Sequence, residues 1–114
     1  MNQGHEEERR GGSRLTINKA MQVVLPSGER LSGESLDVGP GGVLVRFRAL
    51  PGDVRENQSV KLHLVLHDGD ISPGYDCTVI RCTDNSLALQ LDLKQAADFG
   101  RQLGQGIFTR KQAD

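Results

Sequence analysis

Two arginines and a glycine-rich segment are the residues of this chain whose types and spacing are best suited to binding an anion. Arg10 and Arg14 have three residues between them, and the segment Asp37–Gly42, of sequence DVGPGG, follows further along the chain. An arginine guanidinium is planar and permanently charged, so it can bind a phosphate through two hydrogen bonds and also stack on a purine. A glycine-rich loop lets backbone N–H groups approach an anion. Together these features indicate a nucleotide site.

The order of these residues resembles the pattern of the PilZ domain, a family of receptors for the bacterial second messenger cyclic di-GMP. That pattern is Arg-x-x-x-Arg in an N-terminal arm, followed by Asp-x-Ser-x-x-Gly on the first strands of a small barrel. This chain has both arginines, and it has Asp37 and Gly42 at the matching positions. It departs from the pattern at Gly39, where the family usually has serine. The resemblance extends over nearly the whole chain.

The resemblance implies a role for each matching residue. Arg10 and Arg14 would contact the phosphates of cyclic di-GMP and stack on or hydrogen-bond its guanines. Asp37 would accept hydrogen bonds from a guanine edge, and Gly42 would keep the loop free of a side chain where the ligand lies. Arg9 precedes the motif at a position that in the family influences whether one ligand or a stacked pair is bound. We therefore expect two ligands per protomer.

Glycine at position 39 lacks the hydroxyl group that the usual serine would offer to the ligand. The loss of one such hydrogen bond costs about 0.5–1.5 kcal/mol, or about tenfold in affinity. A more exposed N–H group at Gly39 would offset part of that loss. We therefore include Gly39 in the predicted site and expect the site to be weakened but not abolished.

Length and charge limit the classes of protein that the chain can belong to. Its 114 residues are enough for one domain with one core. The formal net charge of -1 gives no overall basic field of the kind that non-specific nucleic-acid binding usually needs, so an anion site must be local. No apolar run of about 18 residues is present, and the N-terminus is too polar for a signal peptide. We expect a soluble cytoplasmic protein that does not insert into a membrane.

Alternation of apolar and polar residues predicts six antiparallel strands, separated by segments rich in glycine, proline, aspartate and asparagine. In this interpretation the segment Asp37–Gly42 is a loop that closes the second strand. Arg81 alternates outward on the fifth strand and is a weaker candidate for the same binding surface. The predicted strands cover residues 21–25, 30–36, 43–48, 60–67, 75–83 and 87–93.

Apolar residues at three- and four-residue steps follow the last strand and predict an amphipathic helix that ends near Gly104 or Gly106. Six strands and one helix favour a mainly β fold, a six-stranded antiparallel barrel, because closure removes exposed strand edges. The PilZ resemblance implies the same order of elements. Residues 1–14 are charged and lack periodicity, so we predict a flexible N-terminal arm at 1–14 and a PilZ β-barrel domain with its C-terminal helix at 15–114.

The cysteines and histidines do not indicate a catalytic or metal site. Cys77 and Cys82 are five residues apart on one predicted strand, so we expect them to point to opposite faces and to stay reduced. His63 and His67 have no carboxylate or cysteine partner at a useful spacing, which favours exposed strand histidines. No metal-ligand cluster or nucleophile–base pair can be identified. We expect no enzyme activity, no metal and no cofactor.

Three functions are compatible with the sequence. The resemblance favours a cyclic di-GMP receptor whose arm becomes ordered on the barrel when the ligand neutralises its arginines. Its output would be a partner protein, such as a flagellar, pilus or exopolysaccharide-synthesis component, and the receptor would be a monomer or a homodimer. A ligand-independent protein-interaction module is the alternative. A barrel that binds single-stranded nucleic acid is disfavoured, because the chain has no Trp, one Tyr and three Phe.

Overall fold

The computed structural model describes residues 17–66 and 68–113 of the chain. In this part of the chain six antiparallel strands close a barrel in the order β1-β2-β3-β6-β5-β4, and one helix, α1, follows them. The predicted six-stranded antiparallel barrel with a C-terminal helix is therefore confirmed. The elements are β1 (Ala20–Val24), β2 (Arg30–Gly39), β3 (Gly42–Arg46), β4 (Ser59–Leu64), β5 (Tyr75–Cys82), β6 (Ser86–Leu91) and α1 (Leu93–Ala113).

Apolar side chains fill the interior of the barrel and alternate along the strands with outward-facing ones. Strand β6 shows the pattern clearly, since Leu87, Leu89 and Leu91 are buried while Ala88 and Gln90 between them are more exposed. Full burial of a side chain of this size stabilises the fold by about 1.5–3 kcal/mol. The largest fully buried apolar side chains are those of Met21, Leu62, Leu64, Leu87, Leu89, Val23, Val45 and Val79.

Strand β2 extends further than the sequence predicted. We expected it to end at residue 36 and the segment Asp37–Gly42 to be a loop, but Gly39 still pairs with Gly42. The connection is therefore a two-residue turn of Pro40 and Gly41. Gly41 has a φ of +76°, and proline followed by a residue with positive φ is typical of a type II turn. Three of the predicted site residues, Asp37 and Gly39 on β2 and Gly42 on β3, thus lie on strands and not in a flexible loop.

Both cysteines point toward the core, so the expectation that they face opposite sides is wrong. Ile80 is an extra residue in β5 that shifts the register between Val79 and Arg81, and this bulge cancels the odd spacing of the cysteines. Cys77 is buried, and Cys82 packs against the core from a half-buried position. Both are free thiols. Burial and, to a smaller extent, the nearby Asp76 raise the pKa of the Cys77 thiol to about 12, which keeps it neutral and unreactive.

The helix begins earlier and ends later than the sequence predicted. Leu93, expected on the last strand, is the first residue of α1 and is 81% exposed. Asp92 starts the helix because its Oδ1 accepts a hydrogen bond from the N–H of Lys94, as an N-cap residue does. The helix also continues past Gly104 and Gly106 to Ala113, so glycine does not end it.

One face of α1 packs against the start of β5. Phe99 and Leu103 are buried, and the ring of Phe99 meets that of Tyr75 edge to face at a centroid distance of 5.3 Å. The Tyr75 hydroxyl donates a hydrogen bond of 2.8 Å to Asp98, which also forms an ion pair with Arg101 on the helix surface. These contacts fix the helix to the barrel through both apolar and polar groups.

Acid is expected to weaken this attachment of the helix. Hydrogen bonds from Tyr75 and Arg101 hold the pKa of the Asp98 carboxyl below its ordinary value. An aspartate whose pKa is lower in the folded protein than in the unfolded chain stabilises the fold at pH values above the unfolded pKa, about 3.9. This stabilisation is lost as the pH falls through the pKa of the folded protein. Burial and the bond to Asp98 raise the pKa of Tyr75 to about 12, so Tyr75 remains a neutral donor throughout this range.

The measurement is thermal unfolding of the wild type and of Asp98→Asn from about pH 6 to about pH 2. We expect Tm to fall more steeply with acid in the wild type than in Asp98→Asn. The matched control is Asp53→Asn at an exposed aspartate, which should follow the wild type. Parallel curves for the wild type and Asp98→Asn would contradict the prediction.

Strand β4 carries one of the two histidines that the sequence placed on the outer face. His63 is half-buried, and its Nδ1 lies 2.8 Å from the carbonyl oxygen of Ser72, so the ring is held in place by the backbone that follows the strand. The ring also lies close to Gly74, where an added Cβ would be 3.0 Å from the His63 Cε1. His67 lies outside the described residues.

Candidate functional site

The Asp37 side chain faces outward because of a bulge in β2. Ser35 pairs with Val45 and Asp37 pairs with Leu44, so Leu36 is an extra residue between them. In an unbroken strand residues 35 and 37 would face the same side. Here Ser35 and Val45 are fully buried, whereas Asp37 and Leu44 are half-buried on the opposite side. The bulge therefore turns a carboxylate from the core to the surface.

The two glycines of the predicted site lie on the same outer surface as Asp37. Gly39 and Gly42 form the last pair between β2 and β3, and their neighbours Val38 and Val43 point into the core. An added Cβ at Gly42 would lie 3.3 Å from the carbonyl oxygen of Leu89, which is tighter than an ordinary contact. The close approach of β6 thus favours glycine at this position.

The pairing register brings Arg81 into line with Asp37. Leu44 pairs with Ala88, and Ala88 pairs with Arg81, so a single row crosses β2, β3, β6 and β5. The bulge at Ile80 turns the exposed Arg81 outward. Neighbouring strands are about 4.8 Å apart, which places the Asp37 and Arg81 backbones about 14 Å from each other. We call this outer surface, formed by Asp37, Gly39, Gly42, Ala88 and Arg81, the Asp37 face.

Polar side chains border the Asp37 face on both sides. Gln90 and Thr78 continue the row that begins with the two glycines, and they line a surface cleft of about 500 Å³. On the other side the exposed Arg46 lines a second cleft, of about 600 Å³, together with Arg48 and Asn18. The sequence did not single out Arg46, although its position two residues after Leu44 on an alternating strand implies the same outward direction.

The residues that lead into β1 are fixed beside this face. The backbone N–H of Ser35 donates to the carbonyl oxygen of Lys19 at 2.9 Å, and the Asn18 side chain donates to the Ser35 carbonyl oxygen at 3.1 Å. The Ser35 hydroxyl accepts a bond of 3.0 Å from the N–H of Lys19 and donates to the carbonyl oxygen of Ile17. The segment 17–19 therefore lies against β2 two residues before Asp37.

The predicted arginines Arg9, Arg10 and Arg14, and with them the predicted arm at 1–14, lie outside the described residues. The predicted roles of all three arginines remain predictions.

Neither a metal site nor a membrane-spanning helix is found in residues 17–66 and 68–113. No group of three His, Cys, Asp or Glu residues in these ranges is placed to hold a metal ion. No helix within them is long and apolar enough to cross a bilayer.

The chain belongs to the PilZ domain family, whose sequence model matches residues 7–109. The match covers most of the chain and includes both the predicted arginine motif and the Asp37 face. PilZ domains are ligand-binding receptor domains and have a fold known to bind cyclic di-GMP. No match was found among curated proteins.

Three solved structures have a similar fold. The PilZ domain of YcgR from Escherichia coli, solved with c-di-GMP, has a TM-score of 0.67 and 18% identity over 93% of this chain and 94% of that chain. The PilZ domain of CeSA from a cellulose-synthesizing bacterium has a TM-score of 0.65 and 20% identity over 80% and 94%. The uncharacterized Legionella protein Lpg0364 has a TM-score of 0.56 and 20% identity over 86% and 97%. At these identities the similarity establishes the fold.

Proposed function

We propose that this protein is a cytoplasmic bacterial receptor for cyclic di-GMP, whose N-terminal arm closes over the ligand on the Asp37 face and thereby signals to a partner protein. The observation that carries the proposal is the bulge at Leu36. It turns Asp37 onto the same outer surface as Gly39 and Gly42, next to the point where the segment 17–19 is fixed. Membership of the PilZ family supports the choice of ligand.

The chemistry of the Asp37 face suits a guanine dinucleotide. Cyclic di-GMP has two phosphates and two guanines, so a receptor needs cations, flat surfaces and an acceptor for the guanine N1–H and N2–H groups. Asp37 is such an acceptor. Gly39, Gly42 and Ala88 carry little or no side chain, and Leu44, which pairs directly with Asp37, offers an apolar side chain against which a flat base can pack.

The cations of the site come from the arm and from the barrel. Arg14 precedes Ile17 by three residues in the sequence, and three residues of chain span at most about 10 Å, so its guanidinium would reach a ligand on the Asp37 face. Arg10 is four residues further out and would act at the second phosphate or guanine. Arg81 adds a cation at the far end of the same row. Arg9 would stack on a second ligand molecule, which gives two ligands per protomer.

Closure of the arm is the output of the receptor. Arginines that repel one another in the free arm are neutralised by the phosphates, and the ligated arm then forms a new surface beside the barrel. A protein of the motility, pilus or exopolysaccharide machinery would bind that surface. The second candidate, a ligand-independent interaction module, is favoured by one observation, the replacement of the usual serine by Gly39.

Isothermal titration of the purified chain with cyclic di-GMP tests the proposal, with GTP and cyclic di-AMP as control ligands. We expect saturable binding that is specific for cyclic di-GMP, with two ligands bound per protomer. Binding of one ligand per protomer would contradict only the role assigned to Arg9 and would leave the receptor function in place. No binding at millimolar ligand would overturn the receptor function and favour the interaction module.

Restoring serine at position 39 is expected to strengthen binding. Gly39 is not among the described residues with positive φ, so the backbone there accepts an L side chain. One added hydrogen bond of about 0.5–1.5 kcal/mol gives up to about tenfold higher affinity in Gly39→Ser. Gly39→Ala is the matched control, because it adds the same Cβ without the hydroxyl. Equal affinities of Gly39→Ser and Gly39→Ala would show that the hydroxyl makes no contact.

A further inference from the structure

We infer that Ser35 is a positioning residue for the ligand site, because its hydroxyl fixes the point on the barrel from which the arginine arm starts. The inference rests on the proposed function, since it concerns how the arm reaches a ligand on the Asp37 face. Ser35 itself does not touch that face, because its side chain points into the barrel.

The burial of Ser35 is the first observation. Ser35 is 0% exposed and pairs with the equally buried Val45, at a position where the alternation of β2 calls for an apolar side chain. Burying a hydroxyl is unfavourable unless it is hydrogen-bonded. The Ser35 hydroxyl satisfies this condition through two bonds, one accepted from the Lys19 N–H and one donated to the Ile17 carbonyl oxygen.

The pairing of β1 with β2 is the second observation. The ladder between these strands begins at the pair Ala20 and Glu34, so residues 17–19 lie beyond it. Four hydrogen bonds between this segment and β2 use an atom of Ser35. Two of the four depend on the hydroxyl. Removing it leaves two of these four bonds, both to the Ser35 backbone, together with the packing of Ile17 against the core.

The effective concentration of the arm at the ligand depends on the length of chain between the arginines and the point where the segment is held. With the segment held at Ile17, three residues of chain lead to Arg14, and if the segment is released back to Ala20 the tether has six. Effective concentration falls roughly as the −3/2 power of tether length, which gives about a threefold loss for Arg14. Arg10 lies beyond Arg14 on the same tether, so the penalty applies once, and up to about threefold weaker binding is expected.

Thermal unfolding and titration with cyclic di-GMP, applied to both Ser35→Ala and Ser72→Ala, test the inference. Ser72 is a matched control, since it is 3% exposed and its hydroxyl also accepts from a backbone N–H, that of Leu64, and donates to a backbone carbonyl oxygen, that of Pro73. Both variants should lower Tm to a similar extent. Only Ser35→Ala should weaken cyclic di-GMP binding, by up to about threefold in titration. Equal affinities of the two variants would overturn the inference.

A readout without ligand separates this inference from the proposed function. Amide hydrogen exchange measured by NMR should be faster at Lys19 in Ser35→Ala, and unchanged there in Ser72→Ala. Unchanged exchange at Lys19 in Ser35→Ala would overturn the inference even if the protein binds cyclic di-GMP. If the wild type does not bind, the receptor function fails, whereas the exchange data still decide whether Ser35 holds the segment.

A second variant covers the case in which Ser35→Ala does not fold. Asn18→Ala removes an exposed side chain that donates to the Ser35 carbonyl oxygen, so it weakens the same attachment from the surface. We expect faster exchange at Lys19 and a smaller loss of affinity, of about twofold at most, in the same direction as for Ser35→Ala. Wild-type affinity in Asn18→Ala together with wild-type exchange would overturn the inference.

Discussion

Replacement of Arg14 by alanine is expected to weaken cyclic di-GMP binding by about 10- to 100-fold, and replacement of both Arg10 and Arg14 should make binding undetectable by titration. A hydrogen bond to a charged group contributes about 1.5–3 kcal/mol, and each arginine can make a bidentate contact with a phosphate. Arg14→Lys should restore only part of the affinity, because a lysine keeps the charge but lacks the planar fork.

The matched control for these variants is Arg30→Ala. Arg30 is an exposed arginine at the opposite end of β2 from Asp37, with one long hydrogen bond of 3.5 Å to Gln22. Arg30 carries the same positive charge as Arg14 but lies far from the Asp37 face. Its replacement should therefore leave the affinity for cyclic di-GMP unchanged. Full affinity in both Arg10→Ala and Arg14→Ala would exclude the arm from the binding site. A loss in Arg30→Ala equal to that in Arg14→Ala would indicate a general effect of charge.

Replacement of Gly33 by alanine is expected to lower the stability of the barrel, because the added methyl group has no space. A Cβ at Gly33 would lie 2.4 Å from the carbonyl oxygen of Arg46 and 2.8 Å from Cδ2 of Phe47. A backbone oxygen cannot move aside as a flexible side chain can, so β2 and β3 would have to separate. Overpacking of this kind costs about 1–3 kcal/mol. Urea-induced unfolding of the wild type and of the variant measures the difference.

Gly52→Ala is the control for this prediction. No atom lies within 4 Å of an added Cβ at Gly52, and its φ is not positive, so alanine fits without strain. We expect the free energy of unfolding of Gly52→Ala to equal or slightly exceed that of the wild type, because alanine has less freedom in the unfolded chain. A Gly33→Ala protein as stable as Gly52→Ala would mean that β2 and β3 adjust to the extra methyl group.

The strands of this barrel could be predicted from sequence because their core side is nearly uniform. Leu87, Leu89 and Leu91 alternate with polar or small residues, and a single face made of such residues has to be buried. The family motif added the candidate site, because it links Asp37 and Gly42 to arginines that lie far from them in the chain.

The two bulges could not be predicted from the same alternation. A bulge inserts one residue without changing composition, and its position depends on how two strands pair, which a single sequence does not contain. For this reason the sequence pattern places Asp37 in a loop, and it places Cys77 and Cys82 on opposite faces of a strand. One clue was present in the sequence, since Ser35 is a polar residue where the alternation of the second strand requires an apolar one.

The predicted ends of the helix are wrong for a different reason. Leu93 fits the alternation of the last strand, but the local hydrogen bond from Lys94 to Asp92 starts a helix before it. Glycine is unfavourable within a helix by about 1 kcal/mol relative to alanine, and burial of Phe99 and Leu103 against the barrel outweighs that preference at Gly104. Tertiary packing thus decided the boundaries.

The densely filled interior has a consequence for the kinetics of a ligand that binds on the outside. Side chains such as Val23, Leu62 and Val79 leave no path through the barrel, so a ligand on the Asp37 face neither enters a cavity nor waits for one to open. Under the proposed function, association would depend on diffusion to an open surface, and the lifetime of the complex would depend on how long the arm stays closed. Such a receptor would follow rises in ligand concentration without delay and would hold its response for a time set by one short segment of chain.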